Sequence, residues 1–376
     1  KASTIADLRP IISAKLPVED PVLWNGRKNP YLYTVRCEIF DSTTQEVTDN
    51  IDIRTGLREY HIDSHKGFFL NGEHIKLQGV SRHQDRENMG NAITEKQHAE
   101  DVKIILDVGA NSVRLAHYQQ NSYFYDLCDE SGLLVWAEVP VISRFSPKRN
   151  ENAEQQLVEL IKQNYNHPSI FCWGIENEIT IAGSASKKLI TFLKHMHKVA
   201  RHLDPTRYTT CAQLTMCPVN SPLNHITDII GYNHYYGWYM GSCDEINNWL
   251  DEWHRENPEG KLCLSEYGGG GAISQHKDNV DWESDIDPVG VRHYENYQSQ
   301  LHEILWKQFS VRKYLWAEFI WCMFDFASYG RTEGDTKSLN DKGLCTRERI
   351  PKDVYFFYRS VWSSEKTVYI TERRHE

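Results

Sequence analysis

Residues 170–178, IFCWGIENE, form an apolar run that stops at polar side chains, Glu176, Asn177 and, last, Glu178; residues 262–271, LCLSEYGGGG, do the same around Glu266. Each reads as a buried β-strand presenting a carboxylate at its C-terminal end. Outward from these two, the chain from residue 67 repeats strand, loop and helix. Strands are expected over His74–Val80, Ser112–Ala116, Leu133–Glu138, Ile170–Gly174, Tyr208–Cys211, Ile226–Tyr232, Lys261–Glu266 and Leu315–Trp321. Helical periodicity lies between them, over 151–165, 184–203, 244–256 and 291–309. The clearest helix begins at Thr94-x-x-Gln97, a capping box, and places His98, Val102, Ile105 and Leu106 on one face. No glycine-rich phosphate turn follows the first strand. The repeats therefore predict an α/β fold, a (β/α)8 TIM barrel rather than an open doubly wound sheet.

Residues 1–58 read as β. YLYTVRCEIF (31–40) alternates as a half-buried strand, and TDNIDIRTGLREYHID (48–63) supplies one or two more. That is too little sheet to stand alone. It is expected to be the C-terminal part of an immunoglobulin-like β-sandwich, with the barrel over 59–362 and, at 363–376, the start of a following strand or domain. A chain opening on KASTIADL, without an initiator Met or a signal-peptide pattern, looks like a piece of something longer. The net charge of −10 argues against nucleic acid and anionic membrane surfaces as partners. No run approaches ~18 apolar residues, the length of a membrane span. Nine scattered cysteines with no CxxC pair predict reduced thiols and a cytoplasmic setting.

Two carboxyl groups at the mouth of one barrel are the minimum equipment for cleaving a glycosidic bond. One attacks the anomeric carbon and the other protonates the leaving oxygen, and like charge nearby raises the pKa of the acid. Arg82-His83-Gln84-Asp85 follows the first strand, and Arg114-x-x-His117-Tyr118 follows the second. Their histidines suit donation to sugar hydroxyls, and Arg114 suits an ion pair that keeps a catalytic carboxylate charged. A tyrosine of YNHYYGWY (232–239) could hydrogen-bond the nucleophile, and Trp321 could floor the sugar. Gly268–Gly271 lacks the context of a phosphate loop and suits close backbone approach. No His, Asp and Glu cluster has metal-ligand spacing. His195 and His197 stand two apart on a helix, so their rings point to different faces.

PVLWNGRKNPYLYTV (21–35), GFFLNGEHIKLQGVSRHQD (67–85), GANSVRLAHY (109–118), WGIENE (173–178), YNHYYGWY, LSEYGGGG (264–271) and FIWCMFDF (319–326) occur in this order. With them the chain from about Asp20 resembles glycoside hydrolase family 2, the β-galactosidase/β-glucuronidase group. The resemblance implies a sandwich followed by a catalytic barrel that retains anomeric configuration. It places Glu178 on the acid/base and Glu266 on the nucleophile. Asn177 falls on the residue that binds the sugar 2-hydroxyl, Tyr235 on the tyrosine beside the nucleophile, Trp321 on the sugar platform, and His83 and His117 on substrate contacts. SRHQDR (81–86), LSEYGGGGAISQH and LNDKGL (339–344) look like the bacterial β-galactosidase branch, so terminal β-galactosides are the expected substrate. Asn340 and Lys342 also fit the Asn-x-Lys pattern with which β-glucuronidases hold a sugar carboxylate. No histidine stands after Glu138 where long β-galactosidases bind Mg²⁺, and no metal or cofactor is expected. A homo-oligomer is compatible with the resemblance.

Overall fold

The computed structural model describes residues 15–281 and 285–371. Eight parallel strands close into a barrel: β1 Leu77–Arg82, β2 Ser112–Leu115, β3 Leu134–Glu138, β4 Ile170–Asn177, β5 Tyr208–Leu214, β6 Ile229–His234, β7 Leu262–Tyr267 and β8 Ala317–Ile320. Around them pack α1 Glu95–Asp107, α2 Ser122–Ser131, α3 Asn150–Asn164, α4 Lys187–Leu203, α5 Glu245–Glu256, α6 Glu295–Ser310 and α7 Asp353–Trp362. Both layers are apolar where they meet, as expected of strands buried on two faces.

Local chemistry sets the helix ends. Gln97 Oε1 accepts the Thr94 N–H at 2.8 Å at the start of α1, and Ser186 Oγ accepts the Leu189 N–H at 3.2 Å at the start of α4. Helix α2 stops at Gly132, whose φ of 75° favours glycine. A Cβ there would lie 2.2 Å from the Gly26 backbone, so the same residue also lets the N-terminal segment dock.

Three points differ from the sequence reading. Helices α2 and α7 are additional, because their aromatic and polar residues blur the apolar stripe that periodicity detects. The predicted first strand divides, with Glu73–Ile75 joining a small antiparallel sheet and β1 starting at Leu77. Between β5 and β6 stands only a 3₁₀ turn, Pro222–His225, among the described residues.

Ahead of the barrel come small antiparallel sheets: Trp24–Asn25 with Asn29–Pro30, the hairpin Tyr33–Phe40/Val47–Thr55, and a three-stranded sheet over Tyr60–Asp63, Gly67–Leu70 and Glu73–Ile75. The last one closes the barrel floor. Ile62, Phe68 and Leu70 share one buried cluster with the barrel-interior side chains Trp136, Phe171, Cys172, Trp316 and Phe319. Residues 363–371 form no strand, and the rest of the segment expected to begin a following strand or domain, 372–376, lies outside the described residues. The nine cysteines are free thiols, and among the described residues no helix is long and apolar enough to cross a membrane.

Candidate active site

The C-terminal strand ends enclose a cavity of about 450 Å³ lined by His83, His117, Asn177, Glu178, Tyr235, Glu266, Trp321, Asn340 and Lys342. Those are nine of the ten residues singled out from the sequence. Arg114 stands directly beneath, fully buried. A larger cleft of about 650 Å³, lined by Arg27, Lys76, Asn111 and Trp362, sits at the opposite rim, where barrels of this kind carry no chemistry.

Strand irregularity aims the side chains. The ladders slip between Gly174 and Asn177, between Tyr232 and Asn233, and between Leu264 and Tyr267. Such bulges turn a strand locally and re-aim what it carries. Here they sit on the strands that deliver Asn177, Asn233 and Glu266. Glu178 itself has φ 48°, a left-handed conformation rare for a residue with a Cβ.

The two carboxyl groups meet opposite surroundings. Glu266 accepts from Arg114 Nη1 at 2.9 Å and from Tyr235 Oη at 2.6 Å. The first is an ion pair and the second a short hydroxyl–carboxyl bond. Glu178 is partly buried and accepts from a neutral donor, Asn233 Nδ2 at 3.0 Å. Burial first, and the neighbouring Glu266 charge second, push its pKa up to about 7. One carboxyl group is engaged by a cation and a phenol, and the other has its pKa raised toward that of an acid catalyst, the difference in surroundings that glycoside hydrolysis needs.

Arg114 organises the floor. Its guanidinium also donates to Glu138 at 3.1 and 3.2 Å and to Asn177 Oδ1 at 2.8 Å. Burial disfavours its charge, but Glu138 and Glu266 outweigh that and raise its pKa. Asn177 Oδ1 also accepts from Asn233 at 3.1 Å, which leaves its NH₂ as the donor turned to substrate. His117 Nδ1 lies 2.5 Å from Glu138 Oε1, and its ring stacks on Trp321 with centroids 5.0 Å apart. His83 packs edge-on to Trp321 and against Phe326. Burial, with His117 and Arg114 nearby, keeps its pKa well below the ordinary value, so it is a neutral donor or acceptor.

Lys342 closes the far side. It is buried, its Nζ has no hydrogen-bond partner among the described residues, and it lies 5.1 Å from the Tyr239 ring centre. Arg331 approaches the Tyr239 hydroxyl at 3.4 Å. Burial would raise the Tyr239 pKa, yet Lys342 and Arg331 together lower it. A positive pocket wall thus stands beside Asn340.

Sequence reasoning missed Glu138, Asn233, Tyr239 and Arg331. Asn233 and Tyr239 lie inside a motif already quoted, and Glu138 ends the apolar run LLVWAE (133–138), the same signal that marks Glu178 and Glu266; Arg331 comes from a distant loop with no local signature. Two His/Asp/Glu triplets do converge away from the cavity, Asp126–Asp129–His167 and His276–Glu295–Asp353, from positions too far apart for spacing rules. In the first, Asp129 is engaged by His167 Nδ1 at 2.6 Å and by the Ser169 N–H at 3.0 Å.

A barrel with this pair of carboxyl groups at its mouth has the equipment of a glycosidase, and comparison with known proteins gives the family. Residues 62–367 match the TIM barrel domain of glycosyl hydrolases family 2, and residues 1–58 match a further glycosyl hydrolases family 2 model. The chain belongs to glycosyl hydrolase family 2. A β-glucuronidase of Bacteroides fragilis is 40% identical over 370 residues, covering 96% of this chain and 52% of that protein. A β-galactosidase of Thermoanaerobacter pseudethanolicus is 27% identical over 365 residues, covering 96% and 44%. The crystal structure of an FMN-binding β-glucuronidase from Facaelibacterium prausnitzii L2-6 superposes with a TM-score of 0.87 at 42% identity, covering 93% of this chain and 53% of that one. The chain thus spans about half the length of the relatives it matches.

Proposed function

We propose that this chain carries the catalytic centre of a retaining β-glucuronidase. The observation behind it is Lys342, a buried cation without a hydrogen-bond partner, beside Asn340 in the wall of the cavity that holds both carboxyl groups. A buried ammonium group is costly unless an anion meets it. The C6 carboxylate of a glucuronide supplies that anion, with Asn340 as a second donor and Arg331 close by. The 40%-identical relative is named a β-glucuronidase, which points the same way.

The expectation of a β-galactoside gives way for a physical reason. Within SRHQDR, Arg82 faces Asp101 at 2.7 Å, away from the cavity. The glycines of LSEYGGGG pack against His302, Trp238 and Gln298. Arg82 and these glycines hold the barrel together, and His83 and Glu266 of the same motifs serve either sugar. Galactoside hydrolysis remains the second reading, favoured by the likeness to a named β-galactosidase.

In the mechanism, Glu266 attacks the anomeric carbon while Glu178 gives its proton to the leaving oxygen. Water, deprotonated by Glu178, then releases the sugar with retained configuration. Asn177 binds the 2-hydroxyl, Tyr235 orients Glu266, Trp321 floors the ring, and His83 and His117 contact hydroxyls. Residues 1–58 are assigned to the end of a sandwich unit that precedes the barrel. In support, the hairpin 33–55 leaves Ile39, Phe40, Val47 and Ile51 exposed, as sheet faces are before a larger unit covers them.

The test is nitrophenol release from the β-glucuronide and the β-galactoside side by side, using the whole protein. Preference for the glucuronide, lost in Lys342→Ala, supports the reading. Preference for the galactoside, untouched by that change, overturns it.

A further inference from the structure

Glu176 is a carboxyl group that this mechanism does not use. It is fully buried two residues before Glu178, and no salt bridge reaches it among the described residues. Its Oε2 accepts the Ile179 N–H at 3.1 Å, and its Oε1 accepts from Gln213 Nε2 at 3.0 Å. Ile179 is the residue immediately after Glu178, and Gln213 follows Ala212, whose carbonyl accepts the Glu178 N–H at 2.8 Å. The left-handed backbone of Glu178 is therefore tied on both sides. The bond to Ala212 fixes its own N–H, and Glu176 fixes the next one while bridging to β5.

We propose that Glu176 is the positioning residue for the acid/base: its buried carboxyl clamps the Ile179 N–H and Gln213 across the β4 bulge, and so holds Glu178 where it can reach the leaving oxygen. The proposal rests on the reading of Glu178 as acid/base given above.

Physical chemistry supports the role. A left-handed residue with a Cβ is strained and persists only where its surroundings over-determine it. A buried N–H without a partner adds to that cost. An apolar residue at 176 would remove the acceptor and let the strand end relax, drawing Glu178 out of line. Displacement of about 1 Å can cost on the order of 100-fold in rate. The carboxyl group fits the place as a neutral acid, since burial pushes its pKa up to about 8. Cys211 lies against it, and the charges of Glu138 and Arg114 act on it weakly and in opposite directions.

The experiment compares Glu176→Met, which keeps the volume but removes the acceptor, with Glu176→Gln, which keeps the acceptor. Both are assayed in the whole protein on a dinitrophenyl and a methyl or phenyl glycoside of the same sugar. The good leaving group departs without an acid, whereas the poor ones need Glu178. Glu176→Met is expected to lower kcat/KM, which reports the glycosylation step alone, about 10- to 100-fold on the poor leaving group and far less on the good one. Glu176→Gln restores most of the loss. The basic limb of kcat/KM, which reports the Glu178 proton, moves in Glu176→Met and stays in Glu176→Gln. Should Glu176→Met not fold, Gln213→Met, which removes the bridge from the β5 side, is expected to show the same leaving-group dependence. Equal loss on both leaving groups, no loss, or a Gln variant as impaired as the Met variant overturns the proposal. Glucuronides and galactosides are run in parallel. An error in the sugar assignment then shows as a change of preferred glycone with the leaving-group pattern intact.

Discussion

Glu178 and Glu266 are chemically identical side chains with opposite tasks, and their neighbours decide which does what. Arg114 and Tyr235 both bond Glu266, while Glu178 is partly buried beside it with one amide donor. With its pKa near 7, Glu178 loses its proton as the pH rises through neutrality. The rate of glycoside cleavage is therefore expected to fall above about pH 7, as measured by kcat/KM profiles. Glu266→Gln should remove turnover by several orders of magnitude. It should also lower the Glu178 pKa, read by carboxyl ¹³C NMR, because the repelling charge is gone. A Glu178 pKa that stays put would mean burial alone sets it. Lys342→Ala should lower glucuronide kcat/KM at least ~30-fold, of order 2 kcal/mol or more, with much less effect on the galactoside. Both carboxylates and Lys342 were legible from the sequence as residues of interest. Their protonation states were not, because pKa depends on neighbours brought from other strands.

At the scale of elements, charged clusters tie the outer layer to the strands. Asp101 on α1 is fully buried and receives Arg82 of β1 at 2.7 Å, Arg86 at 2.9 Å and Arg349, from the loop before α7, at 2.9 Å. Asp101→Ala would strand these guanidinium groups in a dry site. We expect a loss of about 3–5 kcal/mol, measured by chemical denaturation. A loss below 1 kcal/mol would mean water reaches the cluster. The Thr94–Gln97 start and the cores of α3, α4 and α5 follow from periodicity. Helices α2 and α7 do not, since Tyr125, Tyr355 and Tyr358 are buried through contacts with remote partners rather than through a local stripe.

For the whole molecule, burial of ionisable groups couples stability to pH. Glu176 has its folded pKa raised from the ordinary carboxyl value to about 8. Its contribution is thus fully present below the unfolded pKa and is lost as pH rises through the folded one, across roughly pH 4 to 8. Glu176→Gln should flatten that part of the Tm-against-pH curve, and an unchanged slope would exclude Glu176 as its source.

The order of strands, the barrel they close and the two strand-end carboxylates follow from the sequence alone, because apolar runs of period two and helical stripes are local properties of the chain. The ladder slips that aim Asn177, Asn233 and Glu266, the left-handed backbone at Glu178, and the meeting of Lys342 with Tyr239 and Arg331 are decided by tertiary structure. Each depends on which strand or loop lies alongside, and a side chain buried without a partner can be recognised only once every neighbour is in place.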